Sequence, residues 1–318
     1  MGGSVKHTGA DSSGGEVEKM PTNHILKFLR KSWPERYDTM RFYVRQGLAK
    51  LPYLPVPVRL KVSSDEEIEF WWSHVVPFFD GSRGFLDYWG HDVGDLRFLW
   101  KALTPGMTFI DIGANQGIYS LVAGKKLGGD GVVIAFEPSP REYQRLRIHL
   151  RWNEMSHARA EKLALGATAA RTAFFQVVAG DTTRNGLRPP ANSDSVTEIP
   201  VDLISLDDYA SSRGLERVDL IKLDVEGGEV DVLRGATAVV SKFRPIFICE
   251  VLDAATRAWG YDACQIIATL QNSGYEWFDF NEDGSTKPHE LQSRYPDVKN
   301  YLAVPREKFG SHAPDGFR

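Results

Sequence analysis

The fold class of this chain is decided by the stretch Asp111-Ile112-Gly113-Ala114-Asn115-Gln116-Gly117. It follows an apolar run from Met107 to Ile110, so the sequence predicts a strand that breaks into a glycine turn and then a helix. In an open parallel sheet, such a turn presents backbone N–H groups to a ligand beyond the carboxyl edge of the strands. We therefore expect a nucleotide-like ligand at this turn.

The next apolar run, Val132 to Phe136, distinguishes between nucleotide-like ligands because it ends in Glu137. A carboxylate there can accept from both hydroxyl groups of a ribose, and hydrogen bonds to charged groups contribute roughly 1.5–3 kcal/mol each. NAD and S-adenosylmethionine both carry this diol. The turn holds only Gly113 and Gly117, without the three-glycine spacing of dinucleotide sites or the Gly-Lys-Ser/Thr of a P-loop. This pattern favours S-adenosylmethionine over NAD or ATP.

The composition narrows the class of protein. The chain has 318 residues and a net charge of −4, which gives no overall field to recruit nucleic acid or an anionic membrane. Its two cysteines are too few for a disulfide framework or a zinc site. No run approaches the roughly 18 apolar residues of a membrane span, and residues 1–20 lack the apolar stretch of a secretory signal. We expect a cytoplasmic protein with no membrane span and no nucleic-acid partner.

Strand and helix patterns alternate from Met107 onward. They predict strands at 107–112, 131–136, 160–165, 172–178, 218–223 and 245–251, helices at 117–127, 140–153 and 229–240, and closing antiparallel strands at 277–280 and 301–304. Such alternation is typical of an α/β fold with a mostly parallel sheet covered by helices on both faces. The polar loop 180–197 is too long for a simple connector, so we interpret it as a lid or an acceptor-binding loop.

Three segments are expected along the chain: a disordered tail at 1–20, an N-terminal extension with helices and a hairpin at 21–104, and the ligand-binding domain at 105–310. Within the extension, the alternation of apolar and polar residues predicts hairpin strands at 58–62 and 68–72. A helix is expected at 93–103, because Thr104-Pro105-Gly106 stops it just before the first strand of the main domain.

Five motifs follow one another in the main domain: Phe109 to Ser120, Phe136-Glu137-Pro138, Leu203 to Asp208, Ile221 to Glu229, and Val232 to Ala236. In this order and spacing, and through the closing run Tyr301 to Pro305, the chain resembles the FkbM-type S-adenosylmethionine-dependent methyltransferases. The resemblance covers about residues 85 to 305. It implies the class I methyltransferase fold with a Rossmann-like, seven-stranded sheet. It also implies S-adenosyl-L-methionine as cofactor and, usually, O-methylation of a hydroxyl on a sugar, glycan or secondary metabolite.

The candidate cofactor-binding residues follow from these motifs: Asp111, Gly113, Asn115 and Gly117 for the methionine end, Glu137 with Pro138 for the ribose, Ala164 in the third-strand segment, and Asp224. Many class I methyltransferases place an acid near the adenine in the third strand. Here the segment Leu163-Ala164-Leu165 has none, so adenine contacts must come from backbone groups or another polar side chain.

The candidate catalytic residues are acids that follow two neighbouring strands. Asp224, Glu226 and Glu229 follow one strand, and Glu250 ends the next. Mutual repulsion raises carboxyl pKa values and favours a general base, for which we rank Asp224 first, Glu250 second and Glu226 after them. Glu226 and Glu229 also suit the start of a helix, and Lys222 can neutralise one of the acids. A divalent cation could replace the base, but nothing in the spacing demands a metal and we predict none.

Two other functions remain open from the residues alone. An NAD-dependent oxidoreductase would also use the strand, the glycine turn and Glu137. An RNA-binding module would use the aromatic stretch from Trp71 to Trp89 and the arginines of one predicted helix, Arg141, Arg145, Arg147 and Arg151. The net negative charge argues against RNA, and the aromatic stretch favours core packing or a homo-oligomer contact. We expect a small-molecule or carbohydrate acceptor.

Overall fold

The computed structural model describes residues 55–72, 93–177, 184–189 and 196–308. These residues all lie in one compact unit, Tyr53–Arg318, and a second unit comprises Met1–Pro52. The expected tail at 1–20 and any helices of the extension before residue 55 lie outside the described residues. The same holds for residues 73–92 of the aromatic stretch, so the three expected segments stay a prediction.

The described strands are β1 Val56–Lys61, β2 Glu67–Trp72, β3 Thr108–Ile112, β4 Val132–Phe136, β5 Ala158–Glu161, β6 Ala164–Leu165, β7 Ala170–Val177, β8 Val196–Ile204, β9 Leu220–Leu223, β10 Ile246–Glu250, β11 Tyr275–Phe280, β12 Thr286–Pro288 and β13 Asn300–Pro305. The helices are α1 Val93–Ala102, α2 Ile118–Leu127, α3 Pro140–Trp152, α4 Leu206–Ser212, α5 Glu229–Arg234, α6 Thr237–Phe243, α7 Asp253–Thr256 and α8 Cys264–Asn272.

The main sheet has the strand order β12-β11-β13-β10-β9-β3-β4-β5. Strands β10, β9, β3, β4 and β5 pair in parallel, and β13 and β11 close the sheet antiparallel. The predicted α/β fold with a mostly parallel sheet is thereby confirmed. The sheet has eight strands, not seven, because the short strand β12 adds to the edge of β11.

Helices cover both faces of the main sheet. Phe109 and Val133 pack with residues of α1, α2 and α3, whereas Ile110 and Ile134, the next residues along β3 and β4, pack with residues of α4, α5, α6 and α8. Successive side chains of a strand point to opposite faces, so strands buried on both sides are continuously apolar. This burial on both faces explains why β3 and β4 are recognisable in the sequence as mainly apolar runs.

The predicted hairpin is present as β1 and β2, which pair antiparallel. Its inward residues, including Leu60 and Phe70, belong to the same core as α1 to α3. The ring of Trp72 is fully buried and stacks on His149 of α3 with centroids 4.0 Å apart, whereas Trp71 is 42% exposed. Trp72 therefore serves core packing, one of the two uses expected of the aromatic stretch.

The segment after β5 differs from the sequence prediction. The strand expected at 160–165 is two strands, and β6 leaves the main sheet to pair with β8. β7 pairs antiparallel with β8 in this separate three-stranded sheet and does not join the main sheet. β7 carries polar residues such as Arg171 and Gln176 and is only partly buried, which suits an antiparallel strand with one solvated face.

The helix expected at 229–240 is also divided, into α5 and α6, at Gly235. A Cβ at Gly235 would lie 2.0 Å from the carbonyl oxygen of Gly166, so the chain passes too close there for a side chain. The Asp207 carboxylate then accepts from the backbone N–H groups of Ala238 and Val239. These contacts start a new helix because they satisfy first-turn donors that have no partner within the helix.

Candidate active site

A cavity of about 990 Å³, including its opening to solvent, lies where β3, β4 and β9 end. This is the carboxyl edge of the parallel strands, at which ligands bind in open α/β sheets. The structure brings nine of the ten predicted site residues to its wall: Asp111, Gly113, Asn115, Gly117, Glu137, Pro138, Ala164, Asp224 and Glu226. The tenth, Glu250, ends the neighbouring strand β10 and is not among the lining residues.

The glycine turn after β3 is held against the end of β9. Gly113 has a φ of 81°, and a Cβ there would lie 1.7 Å from the carbonyl oxygen of Asp224. The backbone N–H of Asp224 in turn donates to the carbonyl of Ile112 at 3.0 Å. Asn115 also has a left-handed backbone, with φ 49°. A glycine is thus required at 113 by a neighbouring segment of the chain itself, and the turn's shape is set before any ligand binds.

Glu137 is tied to this turn. One carboxylate oxygen, Oε2, accepts from the backbone N–H of Asn115 at 2.8 Å, and the other, Oε1, accepts from that of Ser139 at 2.8 Å. Burial raises the pKa of Glu137 to about 8, although these two N–H donors oppose the shift. A carboxylate has about four acceptor positions, so each oxygen retains one for a further donor such as a hydroxyl.

Asp111 and Lys222 are register partners on the adjacent strands β3 and β9, and their side chains face the α1–α2 side of the sheet. Asp111 accepts from the Ser120 hydroxyl at 2.6 Å. Burial raises the pKa of Asp111 to about 6, while the hydrogen bond from Ser120 and the charge of Lys222 oppose the rise. Lys222 Nζ lies 3.0 Å from Asp224 Oδ2, which confirms that this lysine neutralises one of the acids.

The turn after β9 is organised by Glu229. Its Oε1 accepts from the backbone N–H groups of Val225 and Gly227, at 3.0 and 3.2 Å. Between them, Glu226 adopts a φ of 57°, in the left-handed region that non-glycine residues rarely occupy. Burial raises the pKa of Glu229 to about 7. Glu229 therefore shapes the turn that presents Glu226 to the cavity.

Glu250 is buried close to the other acids. The residue is 9% exposed, and its pKa is raised well above the ordinary value by burial first and then by the charges of Asp224, Glu226 and Glu229. Lys222 acts in the opposite direction. The expected repulsion within the acidic cluster is present. Within the described residues, however, no group of three or more His, Cys, Asp or Glu is arranged to hold a metal ion.

Two residues that line the cavity each have a buried polar atom without a hydrogen-bond partner among the described residues, namely Oε1 of Gln116 and Nδ2 of Asn185. Neither residue was singled out in the sequence as a ligand contact. Gln116 lies within the stretch Asp111 to Gly117, but it is neither a glycine nor an acid, the residue types that indicate a ligand contact there. Asn185 lies within the loop 180–197. The length of this loop indicates that it takes part in ligand binding, but nothing in the sequence indicates which of its residues contacts a ligand.

Trp259 also lines the cavity, beside the turn after β9. Its ring packs against Gly228, where a Cβ would lie 2.8 Å from Cζ2, and its Nε1 donates to the carbonyl of Glu226 at 3.3 Å. The exposed guanidinium of Arg188 lies 4.6 Å from the ring centroid. The acids Asp224 and Glu226 thus share the cavity with an aromatic ring that carries a cation on its face.

The glycine turn after β3 and the buried carboxylate of Glu137, which suits a ribose diol, meet at the carboxyl edge of the parallel strands. The model of the methyltransferase FkbM domain matches residues 111–277, more than half of the chain. The chain belongs to the FkbM methyltransferase family. The FkbM assignment decides between the cofactors that the sequence left open, and the cofactor is S-adenosylmethionine.

Curated methyltransferases are moderately similar to this chain. Methyltransferase 1 of Beauveria bassiana is 30% identical over 148 residues, covering 41% of this chain and 59% of that protein. The 2-O-methyltransferase NoeI of Sinorhizobium fredii is 30% identical over 155 residues, covering 45% of this chain and 63% of that protein. The chain therefore spans less than two thirds of the length of either relative.

Solved structures are more distant. The O-methyltransferase from Bacillus cereus in complex with SAH has a TM-score of 0.38 and 10% identity, covering 69% of this chain and 81% of that one. No helix within residues 55–72, 93–177, 184–189 and 196–308 has the length and apolarity needed to cross a membrane.

Proposed function

We propose that this chain transfers the methyl group of S-adenosylmethionine to a hydroxyl of a sugar, glycan or secondary metabolite. The observation that carries the proposal is the set of carboxylates that line one cavity. Glu137, with acceptor positions left for a diol, and Asp224 and Glu226, with oxygens suited to an acceptor hydroxyl, line the same space. The name of the relative NoeI, a 2-O-methyltransferase, supports oxygen as the methylated atom.

Two polar groups of the cofactor, the ribose diol and the ammonium of the methionine end, would have partners on the cavity wall. The ribose diol would donate to the two oxygens of Glu137, whose remaining acceptor positions are otherwise unused. The ammonium of the methionine end would donate to the buried Oε1 of Gln116, which has no partner among the described residues, and to the carboxylate of Asp111. An unmet buried polar atom costs about 1–3 kcal/mol, so a ligand that satisfies it gains that much in binding.

Asp224 is our candidate for the contact with the acceptor hydroxyl. The Lys222 ammonium occupies Oδ2, while about a third of the Asp224 side chain is exposed. Oδ1 would accept the hydroxyl proton and orient the acceptor oxygen. The bound cofactor supplies a methyl group on a sulfonium, open to in-line displacement. Such a carboxylate base typically contributes about 10²- to 10⁴-fold, and positioning up to roughly 7–11 kcal/mol.

Glu226 is the second candidate because it lines the cavity, and Glu250 the third because it does not. A raised pKa makes Glu250 a stronger base once ionised. The three carboxylates are separable by experiment. Asp224→Asn should lower kcat with little change in cofactor affinity, whereas Glu250→Gln should act chiefly on stability because its carboxyl is buried outside the cavity wall.

The first experiment is calorimetric titration of the purified protein with S-adenosylmethionine, its demethylated product and NAD. Binding of the first two, strongly weakened in Glu137→Ala, would support the cofactor placement, while unchanged binding in that variant would contradict it. The second is transfer of a labelled methyl group to monosaccharides, oligosaccharides and polyhydroxylated metabolites, with the methylated atom located by NMR. Transfer only to nitrogen acceptors would overturn the proposal for a hydroxyl.

A further inference from the structure

Asn185 is held in a fixed orientation on the cavity wall. Its Oδ1 accepts from the backbone N–H of Val177 at 2.8 Å. Only the oxygen of an amide can accept from an N–H, so the Nδ2 group must face the other way. Nδ2 is buried and has no hydrogen-bond partner among the described residues.

The backbone around Asn185 is anchored to β7. Gly186 and Phe175 exchange both backbone hydrogen bonds, at 2.7 and 3.2 Å. Together with the bond from Val177, three hydrogen bonds join residues 185–186 to one strand. A donor on such a support keeps its direction, which is what recognition of a ligand atom requires.

The surroundings of Asn185 are apolar. The next residue but one, Leu187, packs with Ala164 and Phe174, and all three line the cavity. This part of the wall therefore offers apolar contact beside an amide NH₂ donor of fixed orientation. A heteroaromatic ring with a ring-nitrogen acceptor matches both features. The cofactor has one such group, the adenine, whose ring nitrogens N1, N3 and N7 accept hydrogen bonds.

We infer that the Asn185 Nδ2 group donates a hydrogen bond to a ring nitrogen of the adenine and makes the site selective for that base. The inference supplies a polar contact for the adenine, for which the segment Leu163-Ala164-Leu165 carries no acid. It rests on the cofactor placement proposed above and is independent of the acceptor.

The test measures the affinity of the demethylated cofactor and of its 1-deaza, 3-deaza and 7-deaza analogues, each of which replaces one ring nitrogen by C–H. We expect one analogue to bind the unaltered protein about tenfold more weakly, as loss of a partner for a buried donor implies. In Asn185→Ala that penalty should disappear. The ratio of two affinities is compared, so a general loss of binding in the variant does not affect the result.

Three further variants separate the possible causes. Asn185→Asp keeps the oxygen that accepts from Val177 and removes the NH₂ donor, so at pH 8 it should bind the parent compound about tenfold more weakly. Asn272→Asp makes the same change at the exposed end of α8 and should bind normally. Glu137→Gln should bind every one of these compounds measurably more weakly at pH 8 if the cofactor placement is correct.

The inference is overturned if every deaza penalty is the same in Asn185→Ala as in the unaltered protein while Glu137→Gln weakens binding. If neither Asn185 nor Glu137 variants change the affinity, the cofactor placement itself fails.

Discussion

Asn115 donates its backbone N–H to Glu137 Oε2 at 2.8 Å, which joins the glycine turn after β3 to the end of β4. The donor lies on a residue with φ 49°, so the strained backbone of the turn and the buried carboxylate stabilise each other. The same carboxylate is the candidate for the ribose diol. A change in its charge is therefore expected to affect both the turn and the cofactor.

Cofactor affinity should rise with pH up to about 8. Burial raises the pKa of Glu137 to about 8, so this carboxyl is largely protonated at pH 7 in the free protein. Hydroxyl donors favour the ionised form and lower the pKa, so binding releases a proton. Affinity then increases with pH between the bound and free pKa values and levels off above about 8. Calorimetry in buffers of different ionisation enthalpy counts the protons released.

The matched variant for this measurement is Glu137→Gln, which keeps the shape of the side chain and cannot ionise. The ligand's own amino group also titrates near this range, so the informative quantity is the difference between the two proteins. The same pH dependence in both would contradict the assignment of the proton to Glu137.

Gly113→Ala should be far more damaging than Gly106→Ala. Both glycines have a φ above 80°, which costs an alanine roughly 1–2 kcal/mol. A Cβ at Gly113 would also lie 1.7 Å from Asp224 O, whereas nothing lies within 4 Å of one at Gly106. Overpacking adds about 1–3 kcal/mol or more. Urea unfolding should show this difference, and cofactor binding should fall only in Gly113→Ala. Equal losses would mean that the turn after β9 can move away.

The parts of the fold that the sequence announces are the strands buried on both faces. Val132–Phe136 is a continuous apolar run, and Thr108–Ile112 is fully buried with only Thr108 and Asp111 polar. The predicted bounds of both strands differ from the observed ones by one residue. β8 is absent from the predicted strands because polar residues interrupt its apolar ones. Only Val201 is buried among the nine residues of β8. The strand is stabilised by pairing with β6 and β7, and this pairing is not visible in the pattern of its own residues.

The candidate site divides in the same way. Residues in a motif with a physical signature, such as Gly113 and Glu137, could be placed from the sequence because their spacing follows from strand, turn and strand. Gln116, Asn185 and Trp259 could not, because their position at the cavity depends on the path of three separate segments. A side chain brought to a site by tertiary packing leaves no periodic signal in the chain.

His149 is expected to support the cofactor turn from the far side. Its Nδ1 lies 2.7 Å from the carbonyl oxygen of Gln116, so Nδ1 must carry the proton, and its ring stacks on Trp72 of the hairpin. His149→Ala should weaken cofactor binding about fivefold or more, because removing one directed hydrogen bond and its packing costs about 1 kcal/mol or more. Calorimetry on the folded variant measures this change.

His157 provides the control for this prediction. Its Nε2 also bonds a helix carbonyl, that of Gly124 at 3.0 Å, at the other end of α2 from the glycine turn. His157→Ala should therefore lower stability to a similar or smaller extent and leave the cofactor affinity unchanged. A similar loss of affinity in both variants would point to a general effect of stability.

Lys222 is predicted to compensate the negative charges of Asp224 and Asp111. Its Nζ contacts Asp224 Oδ2 at 3.0 Å and Asn300 Oδ1 at 2.9 Å, and only 2% of its side chain is exposed. Lys222→Met keeps the apolar stem and removes the charge. Breaking a fully buried pair costs about 3–5 kcal/mol, and a smaller loss is expected here because a third of Asp224 is exposed to solvent. Loss of the ammonium should also raise the pKa of Asp111 above about 6, since Lys222 is one of the groups that lower it.

A double-mutant cycle isolates this interaction. Lys222→Met with Asp224→Asn should be more stable to urea than Lys222→Met alone, because the second change removes the carboxylate left without its partner. Lys299→Met breaks another lysine–aspartate pair, with Asp279, away from the lining of the large cavity, so it should leave cofactor binding unchanged. If the double variant is no more stable than Lys222→Met, then Asp224 is compensated by solvent, and Lys222 acts on the site through Asn300 instead.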